Sequence, residues 1–178
     1  TFADPGRQNI PSAWAGLTTT SALATRLHDY TYDVLRGLDG QGLMPELVQV
    51  GNETNSNIVR PAGAPGFPLD WPRNAALFNA GIRAVRDAGA LSSIDPKVVV
   101  HIAQPENIDW WFTEAAANGV DSFDIIGVSY YPSYSTHTIA SATALIPGWR
   151  TKFGKDVLFV ETAYPFTFDF ADSTSNLL

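Results

Sequence analysis

The sequence predicts a segment of a (β/α)8 barrel, and three observations predict it. Apolar, β-branched runs alternate with helical patterns along the whole chain, as they do where a parallel sheet is covered by helices. Every one of those runs ends in polar or aromatic residues: Asn52-Glu53, His101, Ser129-Tyr130-Tyr131 and Glu161. An open doubly wound sheet brings only the strands at its switch point to one crevice, whereas a barrel brings all strand ends to one mouth. Finally, 178 residues are too few for the roughly 250 that eight strand–helix units need.

Leu23, Leu27, Tyr30, Val34 and Leu38 mark the face of the first helix, with Ser and Thr before it and Gly37 and Gly40 after. Leu47-Val48-Gln49-Val50 is the first strand. Residues 61–72, with four prolines and two glycines, form a loop. Pro72 suits the first turn of the second helix, whose face is Leu77, Gly81, Ala84, Val85 and Ala88 and whose stop is Gly89. Strands follow at residues 98–102, 123–128 and 157–160. Between them lie a helix with Ile108, Trp111, Phe112 and Ala115 on its face, closed by Gly119, and a helix from Ile139 to Trp149. Pro147-Gly148 should kink or split the latter. Residues 1–178 read as one domain, incomplete at both ends, with the tail of a further strand before Asp4; Thr1 is not a start residue and implies processing or a longer parent chain.

Composition excludes several classes of function. A net charge of −7, with eleven basic residues never adjacent, cannot neutralise a phosphate backbone, so no nucleic-acid partner is expected. There is no cysteine, hence no disulfide, thiolate metal site or cysteine nucleophile. No apolar stretch approaches the roughly 20 residues of a membrane span. Three histidines without His-Glu-x-x-His spacing argue against zinc, and no phosphate-binding glycine loop or serine elbow occurs.

Two strand-end glutamates remain, Glu53 and Glu161, 161 − 53 = 108 residues apart. A pair of carboxylates at a barrel mouth is the minimum equipment for cutting a glycosidic bond, one protonating the leaving oxygen and the other attacking the anomeric carbon. Asn52 beside the acid can hold a sugar hydroxyl. Against this stand plainer readings, a loop cap for Asn52-Glu53 and an ion-paired strand end for Glu161; Glu161 has no neighbouring lysine or arginine. His101 could bond substrate, tune a glutamate or be a satisfied structural histidine. Five tryptophans suit a glycan binder, because sugar C–H faces stack on indole; Trp111 and Trp149 fall on helix faces and read as core, leaving Trp14 and Trp71, in loops, as stacking candidates. Tyr164 could line a subsite or cover the rim.

Four motifs in order carry a resemblance. Ala3-Asp4-Pro5-Gly6-Arg7-Gln8 with Pro11-Ser12-Ala13-Trp14, Val50-Gly51-Asn52-Glu53, residues 123–132 (FDIIGVSYYP), and Val160-Glu161-Thr162-Ala163-Tyr164-Pro165 together resemble the glycoside hydrolase family 53 endo-β-1,4-galactanases. The resemblance implies a (β/α)8 barrel seen from the end of strand three through strand seven and its following loop. It implies Glu53 as acid/base on strand four and Glu161 as nucleophile on strand seven of a retaining enzyme acting on β-1,4-galactan in the type I arabinogalactan of plant pectin. Asp4, Asn52, His101 and Tyr131 would line the cleft, with Tyr131 orienting the nucleophile. No cofactor is required. Structural calcium, which some bacterial relatives hold after strand seven, would find oxygen ligands at Asp169, Asp172, Ser173, Thr174 and Asn176, against the alternative of a solvated polar loop. Family and substrate imply a secreted or periplasmic protein. Phe2, Arg60 and the Ile102-Ala103-Gln104-Pro105 run depart from the family pattern and bear on subsites rather than on the glutamates. The rival readings are a related barrel cutting β-1,4-mannan or β-1,4-glucan, and an inactive glycan-binding barrel segment.

Overall fold

The computed structural model describes residues 8–163. Helix starts follow side-chain capping. Thr19 and Thr138 stand extended before α1 (Thr20–Asp39) and α4 (Ile139–Phe153), and their hydroxyls accept from the N–H groups of Ala22 and Ser141; before α2 (Trp71–Gly89) the Asp70 carboxylate accepts from the N–H of Arg73. Between the last two, α3 (Pro105–Ala117) opens on a proline, whose missing N–H costs nothing in a first turn. The strands β1 (Leu47–Val50), β2 (Lys97–Ala103), β3 (Ile125–Ser129) and β4 (Asp156–Glu161) pair in parallel in chain order. Among the described residues β1 and β4 each have a strand neighbour on one side only.

The two faces of the sheet differ. Val48 and Val50, then Val98, Val100 and Ile102, then Ile126 and Val128, then Val157 and Phe159 all belong to the cluster packed under the helices. The alternate positions Leu47, Gln49, Val99, His101, Gly127, Ser129 and Leu158 therefore share the opposite face. Leu47 and Leu158 are 47% and 39% exposed there, although a strand covered on both sides would bury them. A half-covered parallel sheet of this kind is what an arc of the expected barrel looks like from inside, with no strand facing it among the described residues.

A bulge decides what the arc displays. The register of β3 on β4 slips between Val128 and Ser129, so Ser129 lies opposite Glu161 rather than Val160. One residue of slip reverses which face a side chain takes. Glu161 thereby turns to the inner face, beside His101.

Two expectations need correction. Pro147 does not split the last helix: α4 runs unbroken through it. The ring removes one backbone donor, and Ala142 and Trp149 are buried on either side of it. Trp71 is not in a loop but heads α2, where its ring meets Trp111 edge-on at 5.3 Å.

Helices α1 and α2 pack side by side and share one titrating contact. His28 lies 2.9 Å from Asp87 and 3.1 Å from Asp29. The hydrogen bond to Asp87 raises its pKa above 6.5, burial opposes this, and Asp29 adds to the rise. A folded-state pKa above the unfolded one stabilises fully below about pH 6.5 and loses that contribution as pH rises through the folded value. Both aspartates are about half exposed, so screening holds the gain to roughly 0.2–1 kcal/mol. The stability difference between the parent and His28→Gln in urea should therefore be larger at pH 5.5 than at pH 8.5; an equal difference would refute the contact.

Candidate active site

The turn after β1 is built to present Glu53. Gly51 takes φ +86, and a Cβ there would stand 2.5 Å from Thr54 Cγ2, so only glycine suits the exit from the strand. Glu53 itself adopts φ +44, a left-handed conformation that costs a non-glycine residue about 1–2 kcal/mol. Tertiary bonds to the end of β2 hold it. The Glu53 N–H donates to His101 Nδ1 at 3.2 Å, the Thr54 N–H and hydroxyl both donate to the His101 carbonyl at 3.0 Å, and the Asn55 amide pairs with the N–H and carbonyl of Ala103. Gln8, buried, donates to the Asn52 carbonyl at 2.8 Å.

Glu161 reaches the same place from β4. One carboxylate oxygen of each glutamate and a ring nitrogen of His101 all lie within 4.8 Å of one another. The Tyr131 hydroxyl donates to Glu161 Oε2 at 2.9 Å. Burial, then the hydrogen bond to and charge of Glu161, then the charge of Glu53, push the Tyr131 phenol up to about 12, so it stays a donor at any working pH. Tyr131→Phe should lower kcat roughly ten- to hundredfold, the worth of one hydrogen bond to a charged group; unchanged kinetics would show that the bond is not used.

Glutamate, glutamate and histidine within ligand distance suggest a metal, but the hydrogen bonding argues otherwise. His101 Nδ1 accepts from Glu53, and Nε2 sits 2.6 Å from Ser129 Oγ. Neither nitrogen is left to coordinate. The ring is wholly buried, and that burial pushes its pKa down to about 4 against the opposing pull of Glu161.

The expected residues fall into three groups. Glu53, Glu161, Asn52 and Tyr131 gather at the strand ends, Asn52 with its side-chain oxygen 3.1 Å from Gln49 Nε2. His101 and Trp14 require correction. His101 is among them but 0% exposed, so it does not line the cleft for substrate; its polar atoms face the protein. Trp14 is 4% exposed, with its ring edge-on to Tyr30 and under Arg26, and offers no open stacking face. Asp4, Tyr164 and the calcium candidates Asp169, Asp172, Ser173, Thr174 and Asn176 lie outside the described residues.

Sequence reasoning overlooked Ser129 as a partner of His101, and Glu106. Glu106, at the start of α3, accepts from the Ser135 hydroxyl and from the N–H and hydroxyl of Thr136. Burial would raise its pKa, but these bonds win and hold it near 2. It thus fastens the segment after Tyr131 to the first turn of α3. The available signal was position: residues 101 and 129 lie near the ends of neighbouring strands on the same face, and Glu106 falls in the first turn of a helix.

The model of glycosyl hydrolase family 53 matches residues 1–178. The chain belongs to this family. An arabinogalactan endo-beta-1,4-galactanase of Cellvibrio japonicus is 47% identical over the whole chain, and an endo-beta-1,4-galactanase of Bacillus subtilis is 31% identical over 98% of it. These alignments cover 48% and 38% of the two relatives. Among solved structures, the family 53 catalytic domain of Ignisphaera aggregans superposes with a TM-score of 0.82 at 30% identity, covering 97% of this chain and 46% of that one. The chain spans about half the length of the family 53 proteins it matches. This agrees with the arc of four strands, and with the expectation of a partial barrel.

Proposed function

We propose that this chain carries the catalytic pair of a retaining endo-β-1,4-galactanase. The observation that carries the reading is the separation of the two carboxylates, less than 4.8 Å between their facing oxygens. Retaining glycosidases hold this pair about 5–5.5 Å apart, whereas inverting ones leave about 6.5–9.5 Å for a water. Family membership and the names of the relatives supply the polymer.

Glu53 is the acid/base. It protonates the glycosidic oxygen as the bond breaks, then removes the proton from the incoming water. Glu161 is the nucleophile, its carboxylate oriented by the Tyr131 hydroxyl and attacking C1 from the opposite face of the sugar to give a glycosyl-enzyme. Asn52 is placed for the 2-hydroxyl, a contact that strengthens as positive charge gathers at C1. The polymer lies outside cells, and a secreted or periplasmic protein fits it. No described helix is long and apolar enough to cross a membrane.

The test is release of reducing ends from β-1,4-galactan, β-1,4-mannan and β-1,4-glucan, with proton NMR of the first-formed anomer. Galactan should be cut to β-configured ends. Preference for mannan or glucan, first-formed α ends, or binding without any product would each overturn the assignment.

A further inference from the structure

We propose that His101 is a positioning residue: its neutral imidazole, locked by Ser129 with the proton on Nε2, holds the Glu53 backbone and so sets the acid/base carboxylate opposite Glu161. This rests on the catalytic reading of the two glutamates.

Hydrogen-bond logic fixes the tautomer. A backbone N–H can only donate, so the contact from Glu53 requires a bare lone pair on Nδ1. The single ring proton then resides on Nε2, 2.6 Å from Ser129 Oγ, and the Ser129 oxygen accepts it. Both partners are polar groups with nothing to gain from solvent: His101 and Ser129 are each 0% exposed. The neutral ring is what the position demands. Around it stand Glu53 from the turn after β1, Glu161 from β4 with Oε1 at 3.9 Å from Nδ1, and Tyr131, which bonds the other Glu161 oxygen. A proton on Nδ1 would turn that nitrogen toward Glu161 and release the Glu53 N–H.

A Cβ on Gly127 of β3 would stand 2.8 Å from Val99 Cγ1 and 3.3 Å from His101 Cα and Cβ, so this glycine lets β2 and β3 approach closely at the level of His101. The residue that benefits is one in an unfavourable left-handed conformation at φ +44. Without the acceptor at Nδ1, Glu53 loses the bond that meets its own N–H, and an ordinary conformation would swing its carboxylate away.

Nitrogen-15 NMR of the chain is decisive, and three histidines make assignment simple. His101 should carry its proton on Nε2 and stay neutral from about pH 8 to about pH 5.5, a window in which an ordinary histidine titrates. A proton on Nδ1, or titration within that window, overturns the proposal. Exchange of the Glu53 amide proton should be slow in the parent and in His101→Asn, whose side-chain oxygen replaces Nδ1 as acceptor. It should be roughly tenfold faster in His101→Leu and intermediate in Ser129→Ala; equal protection in the Leu and Asn variants overturns the clamp. In galactan hydrolysis, His101→Leu should lose about a hundredfold in kcat with little change in KM, and His101→Asn should recover most of it. A parent chain that cuts no galactan counts against the catalytic reading alone, because the tautomer and exchange results still decide the clamp.

Discussion

Glu161→Ala is expected to reduce galactan hydrolysis by more than about 10⁴-fold, since no covalent intermediate can form without the nucleophile. Glu53→Ala should cost about 10²–10⁴-fold, the usual worth of a general acid on a poor leaving group. The two losses differ in kind, and azide separates them. In Glu161→Ala a small anion fits the emptied space and attacks C1 directly, giving a glycosyl azide of inverted configuration. In Glu53→Ala the glycosyl-enzyme still forms on substrates with good leaving groups, and azide intercepts it to give the retained configuration. Proton NMR of the two azides reads the assignment. Wild-type-like turnover in either variant, or the opposite stereochemical pairing, would sink it. The expectation rests on geometry: oxygens of the two carboxylates within 4.8 Å of each other fall well short of the roughly 6.5–9.5 Å that inverting enzymes keep between theirs.

The alternation of elements was plain in the sequence because buried parallel strands and amphipathic helices have distinct periods. The strands at 98–102 and 157–160 were each recovered to within a residue or so. Glu53 and Glu161 were legible for a related reason: charged residues directly after apolar runs have few uses other than at a strand mouth. What the sequence concealed depends on partners distant along the chain. Nothing local shows that β3 slips by one residue on β4, yet that slip turns Glu161 inward. Nothing local reveals that His101 spends one nitrogen on residue 53 and the other on residue 129, so an exposed substrate ligand and a buried clamp looked alike. Trp14 misled through its loop-like surroundings. Its residues form a single 3-10 turn, yet the indole is buried, and Tyr30 and Arg26 of α1 meet it.

The largest loss of stability is expected at Trp111. Its side chain is wholly buried on α3 and meets the rings of Trp71, Phe78 and Phe112 edge-on, with centroids 5.3, 5.4 and 5.0 Å away. Trp111→Ala should cost about 3–5 kcal/mol, the usual range for emptying an aromatic site that neighbours cannot fill. Against a typical folding free energy of about 5–15 kcal/mol, that is enough to shift the urea midpoint strongly or prevent folding. Trp111→Phe is the informative companion. The indole N–H has no hydrogen-bond partner among the described residues, so phenylalanine removes an unmet donor as well as packing atoms. The two effects oppose each other, and the loss should be about 1–2 kcal/mol. A loss below about 1 kcal/mol for the alanine variant would show that the site collapses freely. The consequence reaches the catalytic end, because α3 also carries Glu106, whose carboxylate anchors Ser135 and Thr136 just beyond Tyr131. Tilting α3 should therefore loosen the donor on Glu161, and Trp111→Phe should lower kcat before it measurably lowers the population of folded chains.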